Sequence, residues 1–219
     1  MNRIFRDRVD AGRQLASHLS GMRDLSGIRG EAIVVLGLPR GGVPVAAEVA
    51  LALGAPLDVI VVRKLGVPAE PEVAFGAIGE DGERMLDQDL IDWAGITPAQ
   101  IEAVEQRERS TLNARVALFR TGFERCELTG RTALIVDDGI ATGASATAAC
   151  RVARGLGAAH VIVAAPVGGP DAAVRLHGAD QVICLVQPPD FHAVGAQYLN
   201  FRQTSDTEVV DLLTQARQR

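Results

Sequence analysis

The chain has 219 residues, 47% of them hydrophobic and 22% charged, which is enough apolar material for one α/β domain with a substantial core. Twenty-two basic residues against 27 acidic ones leave a formal charge of −5, with no run of Lys or Arg. Such a surface cannot neutralise a phosphate backbone, so no nucleic-acid partner is expected.

Aromatics make up only 4%, and the abundance of Ala, Val, Leu and Gly suits helices packed on a parallel sheet better than a β-sandwich. Cys126, Cys150 and Cys184 form no C-x-x-C pair, so buried reduced thiols are expected rather than a disulfide framework. The segment "MNRIFRDRVDAGRQL" has no apolar signal core, and no apolar run reaches the roughly 18–20 residues of a membrane span. A cytoplasmic protein with no membrane partner is the expectation.

In chain order, "RVDAGRQLASHL" places Val9, Leu15 and Leu19 at helical spacing. "EAIVVLGLP" reads as a buried strand ending in "RGG". The helix "VPVAAEVALALG" follows, stopped by Gly54. "LDVIVVRKL" reads as one second strand with Arg63 and Lys64 at its end. Residues 65–82, rich in Pro, Gly and Glu, read as a mobile loop returning through a short strand near Ala74–Ile78.

Thr97, Pro98 and Gln100 predict a capped helix start, and Glu105 can pair with Arg109 one turn on. "RTALIVDD" and "GASATAACRVARGLG" are the next strand and helix. "HVIVAAPVG" and "QVICLVQPP" are strands flanking the helix "DAAVRLHG", and "SDTEVVDLLTQARQR" is a last amphipathic helix. Strand and helix alternating at this spacing predict a doubly wound parallel sheet, which binds ligands off the carboxyl ends of its strands.

The stretch "ALIVDDGIATGASATAA", residues 133–149, concentrates the chemistry. Adjacent carboxylates at the end of a buried strand repel and are costly to desolvate without a cation or hydroxyl partner. The small-residue turn "GIATGAS", residues 139–145, lets backbone N–H groups converge on an anion at a helix N-terminus, with Thr142 and Ser145 as further donors. The plain alternative is an ordinary strand-to-helix turn capped by Thr142. Together, acids and turn point to a sugar phosphate: the turn holds the phosphate and Asp137 and Asp138 meet hydroxyls, with a divalent cation relieving their repulsion.

There is no G-x-x-x-x-G-K-[ST] and no G-x-G-x-x-G after the first strand, so neither a P-loop nor a dinucleotide site is expected. A sugar-phosphate hydrolase lacks a nucleophile–base pair at motif spacing. His18, His160 and His177 show no partner pattern.

"LIVDDGIATGASATAA" resembles the PRPP-binding motif of the type I phosphoribosyltransferases. "GLPRGGVPVA", residues 37–46, is similar to that family's pyrophosphate loop, and "VVRKL", residues 61–65, resembles its adenine-type members. Gly139 and Ala141 depart from the usual pattern, where an aliphatic residue and Thr or Ser are common. With "RKLG", the helical insertion and an "FxAVGxxY" tail, the whole chain resembles a group of stand-alone bacterial phosphoribosyltransferases.

The resemblance implies an α/β type I fold: a mainly parallel sheet flanked by helices, with a small C-terminal hood and a helical insertion. It implies one domain over 1–219, with core about 28–186, insertion about 87–120, and hood from about 1–25 and 187–219. The implied reaction is transfer of the 5-phosphoribosyl group of PRPP, with Mg²⁺, to a nitrogenous base, releasing pyrophosphate; the alternative is a regulatory protein that binds PRPP without turnover.

The implied catalytic residues are Asp137, Asp138, Lys64 and Arg40. The acids would hold the ribose hydroxyls; Ala141, Thr142, Gly143, Ala144 and Ser145 the 5′-phosphate; and Arg40, Gly41, Gly42, Arg63 and Lys64 the pyrophosphate. Mg²⁺ would be held mainly through PRPP and water, with Asp137 and Asp138 nearby. In many relatives the bond matching Pro39–Arg40 is cis.

The segment after Lys64 sits where the family keeps its lid, with Glu70 and Glu72 as unranked candidates for proton removal. Phe191 and His192 are candidates for stacking on the acceptor, whereas Tyr198 and Phe201 read as packing. A homodimer is the family habit, with the 97–119 helix a candidate contact. The acceptor itself is not encoded in any side-chain pattern. This reading requires both carboxylates to face the concave side of the Thr142 turn, clear of internal Lys or Arg.

Overall fold

The computed structural model describes residues 5–22, 32–122 and 124–218. Its centre is a five-stranded, all-parallel sheet in the order β2-β1-β6-β7-β8, built from β1 (Ile33–Gly37), β2 (Leu57–Val59), β6 (Thr132–Val136), β7 (His160–Val167) and β8 (Gln181–Val186). Every residue of β1 and β6 is buried, as strands covered on both faces must be.

The alternation of side chains assigns them to two cores. Ile33 and Val35 pack with helices α1 (Arg8–Ser20), α2 (Gly42–Leu53), α4 (Pro98–Phe119) and α7 (Asp206–Arg217). Val34 and Leu36 pack on the other face with helix α5 (Ala144–Gly155).

The connections decide where the site lies. From β1 the chain crosses to β2 on one side, and from β6 it runs to β7 and β8 on the other. The order reverses between β1 and β6, so the loops leaving their carboxyl ends diverge and open a crevice. Gly37 is in register with Val136, which sets those loops side by side.

The segment read as one strand over 57–65 is two. β2 ends at Val59, Ile60 and Val61 carry the chain off the sheet, and β3 (Val62–Val67) starts a separate antiparallel sheet, β3-β4-β5, with β4 (Glu70–Gly79) and β5 (Arg84–Leu86). A continuous apolar run does not show where one partner is exchanged for another.

For the same reason the expected mobile loop over 65–82 is largely a hairpin. β3 and β4 pair from Val62↔Gly79 to Val67↔Glu70 around a Pro68–Ala69 turn, with register shifts at Gly66. A short helix, α3 (Gln88–Ala94), leads into α4. The helix expected over "DAAVRLHG" shrinks to one turn, α6 (Ala172–Arg175).

The ends of α4 are fixed. The Thr97 side chain and the Gln100 amide form the expected capping box behind Pro98. At the other end, the Arg120 guanidinium donates to the buried Asp58 carboxylate, to Glu80 at 2.7 and 2.9 Å, and to the Val59 carbonyl. Leu112 and Phe119 bury the inner face. The expected Glu105–Arg109 pair is present at 2.7 Å. Among the described residues no helix is long and apolar enough to cross a membrane.

Candidate functional site: the crevice between two diverging loops

The first loop, residues 38–41, leaves β1 and turns into α2. Its Pro39–Arg40 peptide is cis, as the resemblance implied. Arg40 is half-buried and faces Asp206 at 3.7 Å. The second loop, residues 137–143, leaves β6. Ile140 pins it to the sheet, donating to the Val167 carbonyl at 2.9 Å and accepting from Gly169 at 3.1 Å.

Gly143, at φ +76°, turns the chain into α5, a left-handed geometry that a side chain would resist. Ala141, Thr142 and Ser145 are exposed, Ala144 half-buried and Gly143 buried. The Thr142 hydroxyl accepts from the Ala144 amide at 3.4 Å. The first-turn amides of α5 have no intrahelical acceptor and point out of the helix, the arrangement that favours an anion.

The two loops are packed on each other. A Cβ on Gly42 would lie 2.5 Å from the Val136 carbonyl, and one on Gly41 would lie 2.0 Å from Asp138 Oδ2. On the side where a Cβ would stand, these glycines are filled from within, by the second loop. Gly139, which departs from the family pattern, has a similar reason: a Cβ there would lie 2.4 Å from the Val194 side chain.

Asp138 is not clear of internal cations, contrary to expectation. Arg8, the first residue of α1, donates from Nε at 2.7 Å to Asp138 Oδ2, and its Nη2 lies 2.7 Å from the same oxygen. The pair is 11% and 14% exposed. Arg8 also donates to the Arg202 carbonyl at 2.7 Å and lies 4.0 Å over the Phe201 ring. A chain with buried acids must answer their charge somewhere, and here the answer comes from a residue 130 positions away.

The pairing is one-sided. Nε and Nη2 of Arg8 both engage Oδ2, so Arg8 leaves Oδ1 of Asp138 untouched. Asp137 likewise uses Oδ1 to accept the Asp138 amide at 2.8 Å, leaving Oδ2. Each acid is held by one oxygen and has one to offer.

Burial and then the neighbouring Asp138 charge push Asp137 up to about 8. Burial raises Asp138 too, against the pull of Arg8. The Tyr198 hydroxyl, buried and raised in pKa by that burial, donates to the Asp138 carbonyl at 2.6 Å. No cluster of three His, Cys, Asp or Glu occurs among the described residues, so the two spare oxygens are the carboxylate donors on hand for a metal.

Arg63 and Lys64 lie in β3 of the hairpin, not at the end of a parallel strand. They border a cavity of about 220 Å³ with Arg107, Glu108 and Ser145, where Arg63 pairs with Glu108 at 2.8 Å. A second cavity, about 130 Å³, is walled by Pro39, Arg63, Arg115, Asp137 and Ser145. A larger open groove of about 540 Å³ between β5 and α4 shares no residue with the loops, and its Arg84 and Arg109 are both taken by Glu105.

Phe191 is half-buried against the cluster of Phe5, Val167 and Tyr198, whereas His192 is exposed. Glu70 is exposed at the hairpin turn, and the Glu72 side chain lies outside the described residues. Sequence reasoning missed Arg8 and Arg115; nothing local sets either apart from a solvated charge.

The phosphoribosyl transferase domain model matches residues 7–198, which include both loops and the strands that carry them. The chain belongs to the phosphoribosyl transferase domain family. Two Mycobacterium tuberculosis proteins, from strains CDC 1551 and H37Rv, named "Putative phosphoribosyl transferase MT0597" and "Putative phosphoribosyl transferase Rv0571c", are each 56% identical over 215 residues. These cover 98% of this chain but 47% of theirs, so the chain spans about half the length of the curated relatives it matches.

Among solved structures, TT1426 from Thermus thermophilus is 43% identical with a TM-score of 0.88, covering 97% of this chain and 98% of its own. The AQ2163 protein from Aquifex aeolicus, 13% identical over 94% of this chain and 84% of its own with a TM-score of 0.51, shares the fold. Phosphoribosyl transfer is thus the chemistry for which the family of this chain is named.

Proposed function

We propose that the chain binds PRPP as its Mg²⁺ complex and transfers the 5-phosphoribosyl group to a nitrogenous base. The observation that carries this reading is the pair of spare carboxylate oxygens, Asp137 Oδ2 and Asp138 Oδ1, beside the amides that open α5. Two acceptors next to an anion cradle match a sugar diol and its terminal phosphate.

The residues divide the work. Asp137 and Asp138 accept the ribose hydroxyls and orient the anomeric carbon. Ala141–Ser145 hold the 5′-phosphate through backbone amides and the hydroxyls of Thr142 and Ser145. The 39–42 loop, Arg63 and Lys64 face the pyrophosphate. The bond from C1 to the pyrophosphate oxygen breaks with its electron pair on that oxygen, and the acceptor's nitrogen lone pair forms the new C1–N bond. The nitrogen's proton passes to solvent or a nearby base. Positioning and electrostatic stabilisation then supply most of the acceleration.

Two carboxylate oxygens fit Mg²⁺, which keeps waters and phosphate oxygens and takes only one or two acids from the protein. When bound, the ion would neutralise charge on the leaving group.

Calorimetric titration of Mg²⁺-PRPP tests the reading. Above about pH 8, where Asp137 is ionised, Asp137→Asn and Asp138→Asn each remove a charge-assisted acceptor, worth about 1.5–3 kcal/mol, so binding falls about 10- to 100-fold. Wild-type affinity in both variants would falsify the roles given to the acids. Pyrophosphate release with a panel of bases separates transfer from binding without turnover.

A further inference from the structure

We propose that Arg115, delivered by helix α4, is the cation that receives the departing pyrophosphate; this rests on the PRPP reading above. Arg115 is half-buried on the wall of the cavity of about 130 Å³ that Pro39 of the first loop shares with Asp137 and Ser145 of the second. Its surroundings set it apart from the other arginines near the crevice. Arg8 is held by Asp138, and Arg63 and Arg107 both face Glu108. Arg115 has neither a carboxylate nor a hydrogen-bond partner among the described residues.

Its placement is built into α4. Arg107, Thr111 and Arg115 recur every four residues and so lie along one stripe of the helix. Arg107 borders the neighbouring cavity of about 220 Å³, and Ser145 lines both spaces. Five residues beyond Arg115, the Arg120 contacts to Asp58 and Glu80 fix the helix end. A guanidinium set on so firm an element is already in place when charge develops, and its forked donors match two oxygens of a phosphate.

As the C1–O bond breaks, the electron pair settles on pyrophosphate. That charge grows in the cavity that Pro39 and Arg115 share with Asp137 and Ser145, whereas the 5′-phosphate is held by amides of the second loop, to which Arg115 of α4 does not belong. Removing Arg115 therefore weakens the hold on pyrophosphate and leaves the hold on ribose 5-phosphate intact.

The test titrates Mg²⁺-pyrophosphate and, separately, ribose 5-phosphate into wild type, Arg115→Gln and Arg115→Lys, with thermal unfolding as a check that each variant is folded. Arg115→Gln is expected to bind pyrophosphate about 10- to 100-fold more weakly and ribose 5-phosphate within about twofold of wild type, with Arg115→Lys recovering part of the loss. Unchanged pyrophosphate binding in folded Arg115→Gln, or an equal loss for both ligands, overturns the assignment while PRPP binding by wild type stands. Wild type that binds neither pyrophosphate nor PRPP overturns the underlying reading itself.

Discussion

Asp137 sits where a carboxylate is costly to keep. Buried and next to a second acid, it holds its proton up to about pH 8, against an unfolded value near 3.8. The folded state thus binds that proton more tightly than the unfolded one. The stability this confers is whole below about pH 4 and drains away as pH rises through about 8. Asp137→Asn keeps the shape and removes the titration. Wild type should lose more melting temperature between about pH 5 and about pH 9 than Asp137→Asn does, and equal losses would assign the pH dependence to another group. The same substitution is the one expected to weaken PRPP binding, so the site holds a group that the fold alone would not choose. Arg8 stands on the other side of this balance. The sequence "RDRVDAG" holds three other charged residues around it, Arg6, Asp7 and Asp10, and no local pattern says which arginine will turn inward.

Helix α4 shows what an element adds to its residues. Its start was readable because a capping box is written in four consecutive positions, Thr97 to Gln100. Its lower end was not, because Arg120 meets Asp58 and Glu80 from two other elements. Arg120→Met takes the guanidinium from the buried Glu80 and leaves Asp58 with only Arg217, at 3.7 Å, and the Val59 and Cys126 amides; it should cost about 3–5 kcal/mol in a urea unfolding titration. A loss below about 1 kcal/mol would mean that the network is solvated and that α4 is held by Leu112 and Phe119 alone. The parallel strands β1, β6 and β7 were legible for a simple reason: a strand buried on both faces needs an unbroken apolar run. The β3–β4 hairpin was legible only in part: the returning strand expected near Ala74–Ile78 lies within β4, but the Pro, Gly and Glu around it have the composition of a loop and hid the rest. Its buried Leu65, Phe75 and Ile78 join the core, while β5 pairs with β4 from a distance the local composition does not reveal.

Across the molecule, the segments on either side of the sheet's carboxyl edge are tied by few bonds. Phe5 donates to the Gln197 carbonyl and accepts from Leu199, Arg6 accepts from Asn200, and Tyr198 and Arg8 both end on Asp138. Arg8→Gln loosens the charged member of this set. The Leu199 and Asn200 amides should then exchange hydrogen about 10- to 100-fold faster, with β1 and β6 unchanged; exchange as slow as in wild type would show that the aromatic contacts suffice. The two signature loops were visible in the sequence as separate motifs, but their mutual packing was not, since it joins residues nearly 100 positions apart.

That packing has an evolutionary corollary. The oxygen of Asp138 that Arg8 grips lies where a Gly41 side chain would begin. Any lineage that replaces Gly41 must first move or shorten the acid at 138. Positions 41, 138 and 8 are therefore expected to drift as a trio rather than one at a time.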